Sequence, residues 1–305
     1  MALLRSTFAP RAPPRLRTID RRVRARNRIL FDPKEIDQSS RRVTLHSADS
    51  RAVHLTEVLG VRVGSSLRVG TIGVGRCDAT VKRIYEDGSI EIALGAKDEG
   101  IETPEIDLLL AMPRPKVLRR LWAPLASLGI GRIVLTNANK VERYYFDSKA
   151  LEIETIREEL LRGLEQAGDY RIPQVGVAKR LPPIVDRLSG VLDEDDPDTN
   201  GFGWLLEGDS SWNLSADVLL LAHPGQAATS VAEALDDVKP NQRVLLAVGP
   251  EGGWTDYELY LLEKAGFRKV GLGSRTFTTD VACISLVSAV RERLQGFRRL
   301  LRLPA

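Results

Sequence analysis

The chain has 305 residues, a hydrophobic content of 43% and a formal net charge of +3. That length accommodates two domains with proper cores. No apolar run approaches the ~18–20 residues of a membrane span, which excludes a helical membrane protein. Cys77 and Cys283 lie far apart, and His46, His54 and His223 are scattered, so no disulfide framework and no metal site is expected.

The modest net charge hides a strong asymmetry. Residues 1–28 hold nine arginines and a single acid, Asp20, for a local charge of +8. The remaining chain has 35 basic and 40 acidic residues, a balance of −5. An arginine-rich, acid-poor segment interspersed with Ser, Thr, Ala and Pro has the composition of an organellar transit peptide, plastid or mitochondrial. The other reading is a basic arm that touches RNA phosphates.

From residue 29 to residue 102 the pattern is short strands and turns. Val43 to His46 and Ser89 to Leu94 alternate at period two, and Leu67 to Val69 and Ala79 to Val81 are similar. A helix is predicted from Ala52 to Leu59, stopped by Gly60. About five strands and one helix predict a small β-barrel. Glu99 to Pro104 then reads as a linker.

The texture changes at Ile106, and a second domain is expected over residues 105–300. Ile106 to Ala111, Arg132 to Thr136, Asp217 to Ala222, Arg243 to Val248 and Lys269 to Leu272 are apolar runs typical of buried parallel strands. Helical stretches alternate with them. Val117, Leu118, Leu121, Trp122, Leu125 and Leu128 mark one helix, kinked at Pro124. Glu152 to Ala167 is another, and Thr255 to Glu258 is a capping box opening a third. A last helix runs from Val281 to Leu301, with Val287, Val290, Leu294, Phe297 and Leu301 on one face. The acidic stretch from Asp193 to Gly203 reads as a surface loop. Strands and helices in alternation predict an α/β domain with a largely parallel sheet.

Two glycine-rich turns stand out. Leu245 to Val248 stops at Gly249-Pro250-Glu251-Gly252-Gly253-Trp254, and Lys269 to Leu272 runs into Gly273-Ser274-Arg275. Turns of this kind put bare backbone amides at the mouth of an α/β sheet, where such folds bind ligands. A phosphate-binding P-loop needs Lys and Ser/Thr after the last glycine, and here Trp254 follows. The dinucleotide fingerprint G-x-G-x-x-G is missing near the first strand. A knotted methyltransferase, whose loops wrap S-adenosylmethionine, is the third reading.

These two turns together resemble the RsmE family of the SPOUT superfamily, the 16S ribosomal RNA uracil-N3 methyltransferases. The family's signature is GPEGG followed by Phe or Trp, then LGxRILRxETA opening the final helix. The chain has Gly249 to Gly253 with Trp254, then Leu272-Gly273-Ser274-Arg275-Thr276-Phe277-Thr278-Thr279-Asp280-Val281-Ala282. Pro113-Arg114 sits where the family has Pro-Lys. Leu135 to Ala138, Val141 to Ser148, Gly163 to Ala167 and Ala222-His223-Pro224-Gly225 fall in matching order. In the barrel, Arg28 to Pro33, His54 to Leu59 and Val63-Gly64 resemble the family's opening. The likeness spans roughly residues 26–296. Thr278 stands where the family has Arg, Asp280 where it has Glu and Val281 where it has Thr. Gly60, Pro124 and Ser127 replace family Arg, Lys and Glu.

The resemblance implies a PUA-like barrel that docks RNA and a trefoil-knotted domain that methylates N3 of a uridine in small-subunit ribosomal RNA. It implies S-adenosylmethionine as cofactor and a homodimer as the assembly. The cofactor loops fall on Ala222, His223 and Pro224, on Gly249, Pro250, Glu251, Gly252 and Gly253, and on Leu272, Gly273, Ser274, Thr276 and Phe277. Uracil N3 carries a weakly acidic imide proton, so a base or an anion-stabilising cation assists. Arg275 is the cationic candidate. Glu251 has three readings: a base, a ligand of a polar cofactor group, or a helix cap. Arg26, Arg28, Arg41, Arg42 and Arg114 are candidates for gripping RNA phosphates. The departures at Thr278, Asp280 and Gly60 leave two alternatives open, a weakly active or inactive SPOUT-like assembly factor and a SPOUT enzyme with another RNA target.

Overall fold

A computed structural model describes residues 28–98, 105–190, 202–206, 215–225, 228–239 and 241–301. Arg26, most of the arginine-rich arm, the whole of the expected linker and Asp193 to Gly201 of the acidic stretch lie outside the described residues.

The N-terminal alternation folds as five strands: β1 (Ile29–Phe31), β2 (Arg42–Leu45), β3 (Ser66–Thr71), β4 (Gly75–Ile84) and β5 (Ile90–Asp98). They form one sheet in the order β1-β3-β4-β5-β2. Two register shifts in the β4–β5 ladder, at Cys77/Ala79 and Val81/Arg83, bend the long strand β4. Phe31, Leu45, Leu55, Ile90 and Ile92 are the fully buried centre of this unit. The predicted helix is found as α1 (Ser50–Val53), which widens into a π turn over His54–Val58.

The second sheet has eight strands: β6 (Ile106–Ala111), β7 (Arg132–Thr136), β8 (Gln174–Ala178), β9 (Phe202–Leu206), β10 (Val218–Ala222), β11 (Thr229–Ser230), β12 (Val244–Val248) and β13 (Arg268–Gly271). Their order is β11-β13-β10-β12-β6-β7-β8-β9, parallel throughout except for β9. Every residue of β6 and β12 is buried; β12 reads as an unbroken apolar run, and β6 is interrupted only by Asp107. Gly203, expected at the end of a loop, lies within β9, where it pairs with Val177. The acidic run before it masked the strand's start.

Between the strands lie α2 (Pro115–Ser127), α3 (Ile153–Ala167), α4 (Leu181–Leu188), α5 (Val231–Ala234), α6 (Asp256–Lys264) and α7 (Thr279–Leu301). Helix α7 starts before the expected Val281, because Thr279 and Asp280 form its first turn. Helix α2 packs on α3 and α7, and α4 packs on α6. At Gly163 the α2–α3 approach is so close that a Cβ would lie 2.1 Å from the Ala123 carbonyl.

One buried charge locks the sheet. Asp107 in β6 is fully buried and accepts from Arg243 Nε at 2.6 Å and Arg243 Nη2 at 2.9 Å, with Arg132 Nη1 at 3.6 Å. Polar links join the two sheets. Arg28 N–H donates to Glu165 O at 3.1 Å, Gly73 N–H donates to Tyr170 O at 2.9 Å, and Arg157 pairs with Asp32 at 3.0 Å.

Candidate active site

Because β6, β7, β10, β12 and β13 are parallel, the loops that follow them leave the same edge of the sheet. Chain order reverses direction at β6 and β12: from β6 it runs outward through β7 and β8, and it later returns to place β12 beside β6. A crevice at such a switch point is where open α/β sheets bind ligands.

The turn after β12 is shaped by its own residues. Gly253 N–H closes it onto Pro250 O at 2.8 Å, and Gly253 has φ +69°, a conformation that L side chains rarely adopt. The Trp254 ring folds back over Gly249, where a Cβ would meet its Nε1 at 3.0 Å. Thr255 then caps α6. Its hydroxyl accepts from Glu258 N–H, and Glu258 Oε2 accepts from Thr255 N–H at 2.8 Å. The other oxygen of the buried Glu258 accepts from Asn139 N–H at 2.7 Å, fixing the loop after β7 against α6.

Two more contacts bind this turn to its neighbours. Glu251 Oε1 accepts from the backbone N–H of Arg114 at 3.0 Å, and Lys140 Nζ donates to Gly252 O at 2.8 Å. Lys140 and Asn139 are positions at this edge that sequence reading did not single out. The capping box exposes Glu258 as a helix-start residue, but its second partner is 119 positions away, beyond any local pattern.

After β10, Ala222 and His223 are half-buried and Pro224 is exposed. His223 N–H donates to Val270 O at 3.0 Å, which holds the loop against β13. After β13, Leu272 is half-buried and Gly273, Ser274, Arg275, Thr276, Phe277 and Thr278 are all exposed. Arg275 makes no hydrogen bond or ion pair with the described residues. The departures from the family signature have partners of their own. Asp280 accepts from the Thr278 hydroxyl at 2.6 Å and pairs with Arg120 of α2 at 2.9 Å. The Thr278 hydroxyl, against a smaller opposing effect of burial, lowers the Asp280 carboxyl below its ordinary value.

Of the arginines expected to meet RNA, Arg114 is exposed at this edge, at the N-cap of α2. The others described are engaged elsewhere. Arg28 Nη1 donates to Val69 O at 3.2 Å, Arg41 Nη2 to Gly95 O at 2.5 Å, and Arg42 pairs with Glu91 at 2.6 Å.

The edge also has the features an organic cofactor requires. His223 Nδ1 and Trp254 Nε1 are buried and lack any hydrogen-bond partner, an arrangement folded proteins rarely leave unless something else supplies the contact. Gly271 lets β13 lie close against the loop after β10, since a Cβ there would come within 3.1 Å of Ala228 Cβ and His223 O. No cluster of three or more His, Cys, Asp or Glu side chains suited to a metal ion occurs among the described residues.

The class follows from sequence comparison with this geometry in hand. Residues 101–291 match the RNA methyltransferase domain family, and the chain belongs to that family. Within it the chain falls in the RsmE group. It is 27% identical over 275 residues to the ribosomal RNA small subunit methyltransferase E of Treponema pallidum, covering 90% of this chain and 93% of the relative. It is 23% identical over 246 residues to ribosomal RNA small subunit methyltransferase E 1 of Borreliella burgdorferi, covering 78% and 87%. The fold matches the crystal structure of a ribosomal RNA small subunit methyltransferase E from Neisseria gonorrhoeae bound to S-adenosyl methionine, with a TM-score of 0.61 and 19% identity over 87% of this chain and 97% of that one.

Proposed function

We propose that this edge of the eight-stranded sheet is the catalytic site of an S-adenosylmethionine-dependent methyltransferase acting on N3 of a uridine in small-subunit ribosomal RNA. The observation that carries the reading is the convergence of the turns after β10, β12 and β13 on one edge, with the unpaired His223 Nδ1 and Trp254 Nε1 buried among them. The residues suited to hold the cofactor are Ala222, His223 and Pro224, the turn from Gly249 to Gly253, and the loop from Leu272 to Phe277 apart from Arg275. When bound, S-adenosylmethionine supplies an activated methyl group on a sulfonium.

The chain's own task is orientation and charge. Holding the uracil N3 in line is worth about 7–11 kcal/mol of a barrier. Arg275 is exposed and unpaired, so its guanidinium is available to stabilise the imide anion left when the N3 proton departs. Glu251 is the carboxylate within the turn, with Oε1 committed to Arg114 N–H. The pairing edge of a uracil is reached only when the base is unpaired or extruded.

The finer parts of the reading have their own support. The division into an RNA-docking barrel over residues 29–102 and a methyltransferase domain over 105–300 follows the two sheets and their separate cores. The trefoil knot is supported by the return of α7 from β13 across to β6, β12 and α2. A homodimer would cover Phe277 and Val281, which are 39% and 43% exposed beside the last loop. Organellar targeting rests on the nine arginines of residues 1–28.

Calorimetric titration with S-adenosylmethionine and S-adenosylhomocysteine tests the cofactor site. Saturable binding of both is expected, followed by the appearance of N3-methyluridine in unmodified small-subunit RNA incubated with the protein. No binding at millimolar ligand would overturn the reading.

A further inference from the structure

A short 3₁₀ helix over Arg143–Asp147 follows β7 at the mouth of the site, and it presents an aromatic ring that the fold does not need. Tyr145 is buried in the core, whereas Tyr144 beside it is 65% exposed. Its orientation is nevertheless defined: the two rings meet edge to face, centroids 4.9 Å apart and planes at 82°. Tyr145 thus braces Tyr144, and most of the Tyr144 side chain stays exposed.

The surroundings of that ring are cationic and belong to the catalytic edge. Lys140, four residues earlier, is bonded to Gly252 O in the glycine turn, so the loop is tied to the site. Arg114 lies close enough to Tyr144 for its charge to act on the phenol, and Arg114 N–H is held by Glu251. Arg143 is exposed next to it. Glu142 and Asp147 are the acids of the same loop. A braced, exposed ring with Arg114 and Arg143 nearby has the chemistry of a nucleic-acid contact, an aromatic platform for a base with cations for the adjoining phosphates.

We propose that Tyr144 is the stacking platform for an unpaired base of the RNA substrate at the mouth of the active site, with Arg114 and Arg143 on the flanking phosphates. This rests on the methyltransferase reading for the nature of the substrate. It adds the residue that separates a splayed single-stranded target from a paired one. Stacking on a ring face is tolerant of base identity, so Tyr144 selects an unpaired base rather than a particular one.

The test uses the full chain with S-adenosylhomocysteine present and a short single-stranded RNA carrying one central uridine. Cofactor affinity is measured separately by calorimetry. Tyr144→Phe and Tyr144→Trp are expected to bind the RNA within about twofold of the parent. Tyr144→Leu, which keeps apolar bulk but no ring, is expected to lose about 5- to 150-fold, the range of one base stack. The slope of affinity against salt is expected to stay unchanged for Tyr144→Leu and to become shallower for Arg114→Gln, because only the arginine displaces counterions. RNA binding by Tyr144→Leu equal to that of the parent, with cofactor binding intact, would overturn the stacking role and leave the methyltransferase reading standing. Loss of cofactor binding in Tyr144→Leu would overturn it as well, by making the ring a structural support of the site. A parent protein that binds no cofactor removes the methyltransferase reading itself, an outcome that the calorimetry separates from the other two.

Discussion

The carboxylate of Glu251 and the backbone nitrogen of Arg114 lie 3.0 Å apart, although 137 positions separate them in the chain. One residue belongs to the glycine turn after β12, the other is the N-cap of α2 after β6. The bond clips together the loops of two neighbouring parallel strands at the point where the chain reverses direction. It also places an anion at the N-terminus of a 13-residue helix, whose unpaired N–H groups favour negative charge. Glu251 therefore has a structural task in the site whatever it does in the chemistry.

That task separates two substitutions. Glu251→Gln keeps an acceptor oxygen for the Arg114 N–H, and Glu251→Ala removes it. A clip predicts that Gln retains turnover within about threefold, whereas Ala loses about 1.5–3 kcal/mol of cofactor binding, the scale of one charge-assisted hydrogen bond. A proton acceptor predicts that Gln loses at least about a hundredfold in kcat with unchanged cofactor affinity. Calorimetry and single-turnover rates on both variants distinguish them, and we expect the pattern of the clip.

The buried carboxylate of Asp107 gives a prediction about stability. Two guanidiniums converge on it, from Arg132 and Arg243, and each keeps a fifth to a quarter of its side chain in water. Removing the acid leaves two like charges facing each other in a half-buried site. Asp107→Ala is expected to cost about 3 kcal/mol of unfolding free energy, the lower end for a broken buried pair because of that residual exposure. The double variant Asp107→Leu with Arg243→Met should recover much of the loss. Urea denaturation of the three proteins checks both statements.

What the sequence exposed and what it concealed divide along the range of the interaction. The strands β6 and β12, the cap at Thr255 and the glycine turn were legible because each is written in consecutive residues. The last helix was misjudged at its start only because Thr279 and Asp280 look polar from outside. The contacts that make the turns into one site were not legible. Asn139 with Glu258, Lys140 with Gly252 and Arg114 with Glu251 each join residues more than a hundred positions apart. Arg28 and Arg42 carry the charge expected of RNA contacts, yet Val69 O and Glu91 engage them. Charge in a sequence does not reveal whether the fold has already provided a partner.

Glu165 predicts a pH effect at the junction of the two sheets. Burial raises its carboxyl above the ordinary glutamate range, against a backbone hydrogen bond from Leu30 and the charges of Arg51, His54 and Arg162. An acid raised by folding weakens the native state once it ionises. The penalty is absent below the unfolded pKa, where both states are protonated, and grows as pH rises to the folded value. Glu165→Gln is therefore expected to raise the melting temperature at about pH 7 and to change it little below about pH 4. An equal gain at both pH values would show that the effect is packing rather than charge.

The glycine turn offers the sharpest test of how the cofactor site is built. At Gly249 an added Cβ would sit 3.0 to 3.2 Å from three atoms of the Trp254 indole, a rigid ring that cannot yield by rotating one bond. Gly249→Ala must push the ring, and with it the unpaired Nε1. Overpacking of this kind costs about 1–3 kcal/mol, expressed here as weaker cofactor binding and a lower melting temperature together. Phe is smaller than Trp and lacks the pyrrole edge that faces Gly249, so Trp254→Phe should make room for the methyl group. In the Trp254→Phe background, Gly249→Ala is then expected to cost markedly less than alone, a coupling readable in a double-mutant cycle because the two side chains touch. Additive effects would mean that Gly249 is required for its backbone alone, and the ring would not be what narrows the turn.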